Sequence, residues 1–188
     1  MATAVTMTGL EFDALPFEQG RDLELLDGEV IQMPSPTVQH QDILLNVLLA
    51  LRAHLKPKEA LVSYDVEFAL APNTRLQPDV CVVLPPRAAE IDTAKIPIPG
   101  HPDLAVEVIS PSESAATSMR KVGYYLDHGT REVWQVYPDT REVVIHGPQG
   151  QTRRFRGDRG SRELAARRFQ YPGAGILQLS GQKTSVFH

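Results

Sequence analysis

Cysteine is nearly absent: Cys81 is the only one in 188 residues, so no internal disulfide can form and nothing asks for an oxidising compartment. No lysine or arginine precedes Arg21, so the start of the chain lacks the basic opening of a signal peptide. Long apolar runs are missing too. The longest, Ile43 to Leu51, is interrupted by Asn46 and falls far short of a membrane span. Neither a G-x-S-x-G elbow nor a G-x-x-x-x-G-K-[ST] loop occurs, which leaves serine hydrolase and P-loop ATPase readings without support. His54, His101, His128, His146 and His188 show no metal-ligand spacing with one another or with Cys81. Repeats, low-complexity tracts and linkers are also lacking. The expectation is a soluble cytoplasmic protein with one domain over residues 1–188, ordered from about residue 9 to 180 and frayed over 1–8.

Charge is unevenly placed. Residues 1–119 hold 7 basic and 17 acidic side chains, whereas 120–188 hold 12 basic and 6 acidic, seven of the basic ones being arginines between Arg153 and Arg168. Carboxylates holding a metal and arginines holding phosphate would give this pattern, and so would ordinary charges that pair across the fold.

The apolar pattern predicts an α/β or α+β sandwich around a mixed sheet. A short helix is expected within 9–20, on Leu10, Phe12, Leu15 and Phe17. Arg21 to Leu26 and Glu29 to Met33 read as strands joined by Asp27-Gly28, a strong hairpin signal. Ser35-Pro36 is expected to open a helix with Leu44, Leu48, Leu51 and Leu55 on one face, stopped by Pro57. Val62 to Leu70 reads as one strand, followed by a turn at Pro72-Asn73. Pro78 to Leu84 and Asp103 to Ser110 read as central strands buried on both faces. Ser112 or Ser114 is expected to cap a helix running to about Asp127, closed by His128-Gly129. Glu132 to Tyr137 and Glu142 to His146 form a further hairpin around Pro138-Asp139, and a last strand is expected near Ile176 to Leu179.

Two acids stand in apolar company. Asp79 opens Pro-Asp-Val-Cys-Val-Val-Leu, and Glu107 sits inside Leu-Ala-Val-Glu-Val-Ile. A carboxylate in a central strand loses its hydration and needs a compensating cation, either a buried Lys or Arg or a metal ion. Two such acids on adjacent strands repel unless something positive lies between them. Mg²⁺ meets that demand, with Mn²⁺ as a substitute, because it takes one or two carboxylates plus water and substrate phosphate. It also polarises a phosphoryl oxygen and acidifies bound water, as phosphodiester hydrolysis requires. Lys121, in the helix after the Glu107 strand, is the candidate basic partner, although spacing alone favours a solvated lysine beside Arg120. Cys81 reads as a core thiol and Trp134 as core or dimer surface.

The string Glu24-Leu-Leu-Asp-Gly-Glu-Val30, His40, and Pro78-Asp79-Val80 resemble the Uma-two family of restriction-type endonucleases. So do Pro102-Asp-Leu-Ala-Val-Glu107-Val-Ile-Ser-Pro-Ser112, Lys121, Tyr125, Gly129 and Val133-Trp134. The resemblance implies the PD-(D/E)xK nuclease fold, a mixed sheet flanked by helices with extra hairpins, and Mg²⁺-dependent cleavage of DNA. It makes Asp79 and Glu107 metal ligands and catalytic residues. The motif's lysine would fall on Ile109, and the resemblance moves that role to Lys121. Glu24 and His40 match further family positions. Glu24 would bind metal through water or position His40, and His40 would assist proton transfer or touch phosphate. A solvated strand edge and a structural histidine are the plain alternatives for these two. Thr117 departs from the acid that many relatives carry.

An active endonuclease is therefore weighed against an inactive nucleic-acid-binding or regulatory module on the same fold, and against a self-associating structural protein. Cleavage of both DNA strands commonly uses two sites related by symmetry, so a homodimer is expected.

Overall fold

The computed structural model describes residues 6–16, 22–55, 60–156, 169–171 and 174–177. Thr8 opens α1 (Gly9–Asp13) with a capping box in which Thr8 and Glu11 each satisfy the other's backbone N–H. This helix is shorter than the pattern suggested, and Phe17 lies outside the described residues. β1 (Leu23–Leu26) and β2 (Glu29–Gln32) pair as the expected hairpin. Asp27 and Gly28 both take positive φ, 55° and 78°, which is the backbone a two-residue turn needs between right-twisting strands.

α2 (Val38–His54) begins later than Ser35-Pro36 implied. Thr37 is its N-cap, and the Thr37 hydroxyl accepts a hydrogen bond from the His40 amide at 3.2 Å. Leu44, Leu48, Leu51 and Leu55 are buried along one face, as their spacing required. Pro57, the expected stop, falls outside the described residues.

The strand expected over Val62 to Leu70 is two strands, β3 (Leu61–Tyr64) and β4 (Phe68–Ala71). Asp65 between them has φ 47°, a left-handed conformation that no extended strand holds. β5 (Thr74–Leu76) and β6 (Val80–Val83) follow, then β7 (Ile98–Pro99) and β8 (Leu104–Val108). Ser114 caps α3 (Ala115–Asp127), and Gly129 beyond it takes φ 106°. β9 (Glu132–Tyr137) and β10 (Glu142–His146) form the second hairpin. β11 (Thr152–Arg156) occupies a stretch that looked like loop. β12 (Phe169–Tyr171) pairs with β13 (Ala174–Leu177), in the region of the expected last strand.

The α+β class and the mixed sheet with added hairpins are as expected, and the hairpin residues build a second sheet. One sheet runs β11-β10-β9-β8-β6-β3, with β8 and β9 parallel and its other neighbours antiparallel. The other runs β2-β1-β5-β4-β7. Period-two alternation divides the core. Val80, Val82, Leu104, Val106 and Val108 face α2, while Cys81, Val83, Ala105 and Val133 face α3 and the second sheet through Val122, Tyr125, Leu26, Phe68 and Leu76. Among the described residues no helix is long and apolar enough to cross a membrane.

The position of the α2 cap is open to a direct check. Thr37→Ala should cost about 1 kcal/mol in urea unfolding, the usual worth of an N-cap, and Ser35→Ala less than about 0.5 kcal/mol. Equal losses would return the cap to Ser35.

Candidate functional site

β6 and β8 pair Val80 with Val106 and Cys81 with Ala105, so the next step of the same register sets Asp79 opposite Glu107. Residues directly opposite in an antiparallel pair share a face, here the one toward α3. Asp79 lies just ahead of β6, where the ladder ends. Its Oδ2 accepts the Val108 amide at 2.6 Å and so stands in for a strand carbonyl. Its Oδ1 lies 3.3 Å from His40 Nε2, which α2 brings over the sheet end in its first turn.

Glu107 is buried near the C-terminal end of β8, and both of its oxygens are engaged from α3. Lys121 Nζ donates to Oε2 at 2.7 Å, and the Tyr125 hydroxyl donates to Oε1 at 2.9 Å. Positions 121 and 125 lie on adjacent turns of one helical face, which is why a single helix reaches both oxygens. The Lys121 ammonium also sits 3.0 Å from Glu24 Oε2, reaching from the first sheet to the second. That contact is an ion pair without hydrogen-bond alignment, so Glu24 Oε2 is a buried oxygen with no hydrogen-bond partner. The other Glu24 oxygen accepts the Gln77 amide at 2.8 Å.

One ammonium thus serves two enclosed carboxylates. Burial pushes the Glu107 carboxyl up to about 8; Lys121 works against this, and Glu24 and Asp79 add to it. Burial alone would depress Lys121, yet Glu107 and Glu24 outweigh it and hold the lysine pKa above its ordinary value. His40 behaves alike: burial disfavours its charge, but Asp79 beside it raises its pKa.

These five side chains, proposed from sequence, surround one cleft of about 250 Å³. Asp65 and Glu113 line it as well, and sequence reasoning passed over both. Burial, with Asp79 nearby, raises the pKa of Asp65; burial also raises that of Glu113, against the pull of Lys121. Asp65 lay inside a supposed continuous strand, and Glu113 in a serine-rich cap that reads as exposed. The only available signal for Glu113 was its place one helical turn before Thr117, where the acid of many relatives was missing. The Thr117 hydroxyl is itself occupied by Ser114 at 2.9 Å.

The donor set suits a hard divalent cation. Carboxylates outnumber cationic groups around the cleft and offer it oxygen ligands, and Glu24 Oε2, though ion-paired with Lys121, accepts no hydrogen bond. Among the described residues no three acid, histidine or cysteine side chains converge on one point. An ion here would rest on Asp79 and Glu107 and complete its shell from water and substrate, the habit of Mg²⁺.

The other buried acids among the described residues, Asp103 and Glu142, are satisfied by protein groups. Asp103 accepts the Leu84 amide and pairs with Arg131. Glu142 pairs with Arg154 and Arg156, and Glu132 with Arg153. Three of the seven clustered arginines are therefore spent on internal charge. Arg159, Arg162, Arg167 and Arg168 lie outside the described residues. Cys81 is buried, and burial pushes its thiol up to about 12, which makes it inert. Trp134 is core.

A pH dependence follows from Glu107. Its folded pKa of about 8 lies above the ordinary 4.5, so the folded state binds the proton more tightly. That stability is complete below pH 4.5 and is lost progressively as pH rises through about 8. In chelator, urea unfolding should show stability falling across this window, and Glu107→Gln should flatten the fall. The same slope in both proteins would contradict the assignment.

The profile of the Uma2 family, described as "Putative restriction endonuclease", matches residues 10–172. Among solved structures, that of a "putative nuclease" from Anabaena variabilis ATCC 29413 superposes with a TM-score of 0.72 at 24% identity, over 88% of this chain and 89% of that one. At that identity the likeness speaks for the fold alone. No curated protein matches the chain. The family profile takes in α1, both sheets, α2, α3 and every residue of the cleft, and the chain belongs to the Uma2 family.

Proposed function

We propose that this chain is a divalent-metal-dependent endonuclease that hydrolyses DNA phosphodiester bonds, working as one domain in the cytoplasm and as a homodimer on duplex substrate. The observation that carries the reading is that Asp79 and Glu107 line one cleft, close enough for the Asp79 charge to act on Glu107, with the single Lys121 ammonium shared between Glu107 and Glu24. Asp79 and Glu107 would hold Mg²⁺ or Mn²⁺. When bound, such an ion supplies Lewis-acid polarisation of the phosphoryl oxygen and acidifies water.

The remaining side chains supply placement and protons. Lys121 draws the Glu107 carboxyl back toward its charged form against the effect of burial, and its own charge opposes the negative charge that grows on a phosphoryl group during attack. Glu24 holds Lys121 from the second sheet. His40 borders the cleft with Nε2 beside Asp79, where an imidazole can take or give a proton at a reacting oxygen.

Purified protein incubated with plasmid and with a pool of varied duplexes should nick or cut only with Mg²⁺ or Mn²⁺. Asp79→Ala and Glu107→Ala should each abolish cleavage; Asp79→Ala should leave the metal-free fold near the parent's stability, whereas Glu107→Ala leaves the buried Lys121 with Glu24 as its remaining carboxylate and should lower it by about 3–5 kcal/mol. Cleavage that survives both substitutions would defeat the assignment. Metal-independent DNA binding that weakens steeply with salt, without cleavage, would favour the binding module.

A further inference from the structure

We propose that Tyr125 is a positioning residue, its hydroxyl fixing the plane of the Glu107 carboxylate so that the two acids can share one cation; this rests on the nuclease reading above. A carboxylate held at one oxygen still turns about its last torsion, which is broad and roughly two-fold. Lys121 alone, on Oε2, leaves that freedom. The Tyr125 hydroxyl on Oε1 removes it. Both donors come from α3, so the plane is set by the seat of the helix on the sheet. Ser118, one turn before Lys121 and two before Tyr125, accepts from Gln135 Nε2 at 2.6 Å, and β8–β9 register sets Gln135 beside Glu107. The helix is thereby fastened to both central strands at the level of the site.

Filling the core does not account for the hydroxyl. Tyr125 is fully buried and its ring packs among Cys81, Ala105, Val122 and Val133, which a phenylalanine ring would do as well. Charge does not account for it either, because Lys121 already supplies the cation. Burial and the neighbouring Glu107 and Glu24 carboxylates keep the phenol protonated, so it remains a donor. Hydrogen-bond partners of metal-binding carboxylates commonly govern affinity or turnover by about 10- to 100-fold.

The full-length protein and its Tyr125→Phe variant are compared by calorimetric Mn²⁺ binding, plasmid cleavage and chelator-treated melting. The expected result is Mn²⁺ affinity weakened by about 10- to 100-fold. At limiting Mn²⁺, kcat should fall while KM for DNA holds, and the melting temperature should stay near that of the parent. A second variant carries p-aminophenylalanine at position 125, which keeps the ring and a donor; it should recover most of the lost affinity. Parent-like Mn²⁺ binding and cleavage in Tyr125→Phe would overturn the proposal alone. Equal losses in both variants, or a Tyr125→Phe protein that does not fold while the amino variant binds Mn²⁺ no better than Glu107→Gln, would overturn it as well. A parent protein that neither binds Mn²⁺ nor cuts would overturn the nuclease reading and Tyr125's role together.

Discussion

The contact of the Lys121 ammonium with Glu107 on one side and Glu24 on the other joins the parts of this molecule. Glu107 belongs to the six-stranded sheet, Glu24 to the five-stranded sheet, and Lys121 to the helix between them. Removing one partner of such a buried group typically costs about 3–5 kcal/mol, because the other charge is then left in a dry interior. The surrounding apolar residues hold the layers at the distance this contact needs. The strands on either side of it are among the most apolar in the chain, which lowers the local dielectric and strengthens whatever charge is placed there.

The same contact explains why the cleft lies where it does. β6 and β8 run past one another until the ladder gives out at Asp79, and there a side chain completes the hydrogen bonding that a strand would otherwise provide. A carboxylate at the end of a ladder is held as firmly as backbone and still faces open space. The first turn of α2 closes over that end and brings His40 to it. Two rigid elements and a helix N-terminal turn therefore define the cleft, with loops filling its rim.

Much of this was legible in the sequence because burial leaves a pattern. Asp79 and Glu107 were conspicuous because a strand buried on both faces should hold no carboxylate. The four α2 leucines gave their face by spacing, and Asp27-Gly28 gave its turn by backbone preference. Asp65 was not legible as a break, since nothing in the run Val62 to Leu70 announces a left-handed residue; the conformation is imposed when the two halves join different sheets. β11 was missed because an edge strand of arginines lacks an apolar face, and its charges are explained by Glu132 and Glu142, more than ten residues away in sequence. Lys121 itself looked like any helical lysine. Only its phase on α3, with Tyr125 one turn on, sets it against Glu107.

That phase has a consequence for how such a site varies. A lysine two residues after a strand glutamate is tied to it by the pleat, so the spacing between them cannot change. Here the lysine is carried by a separate helix, and the segment from Ile109 to Ser114 is a connection whose length is not fixed by either element. Residues can be gained or lost in that connection while α3 keeps its seat. One residue inserted within α3 ahead of Lys121 would turn the ammonium through about 100° and carry it off the acid. The contact between Lys121 and Glu107 is set by angle about a helix axis, and a count along the chain is a poor guide to it.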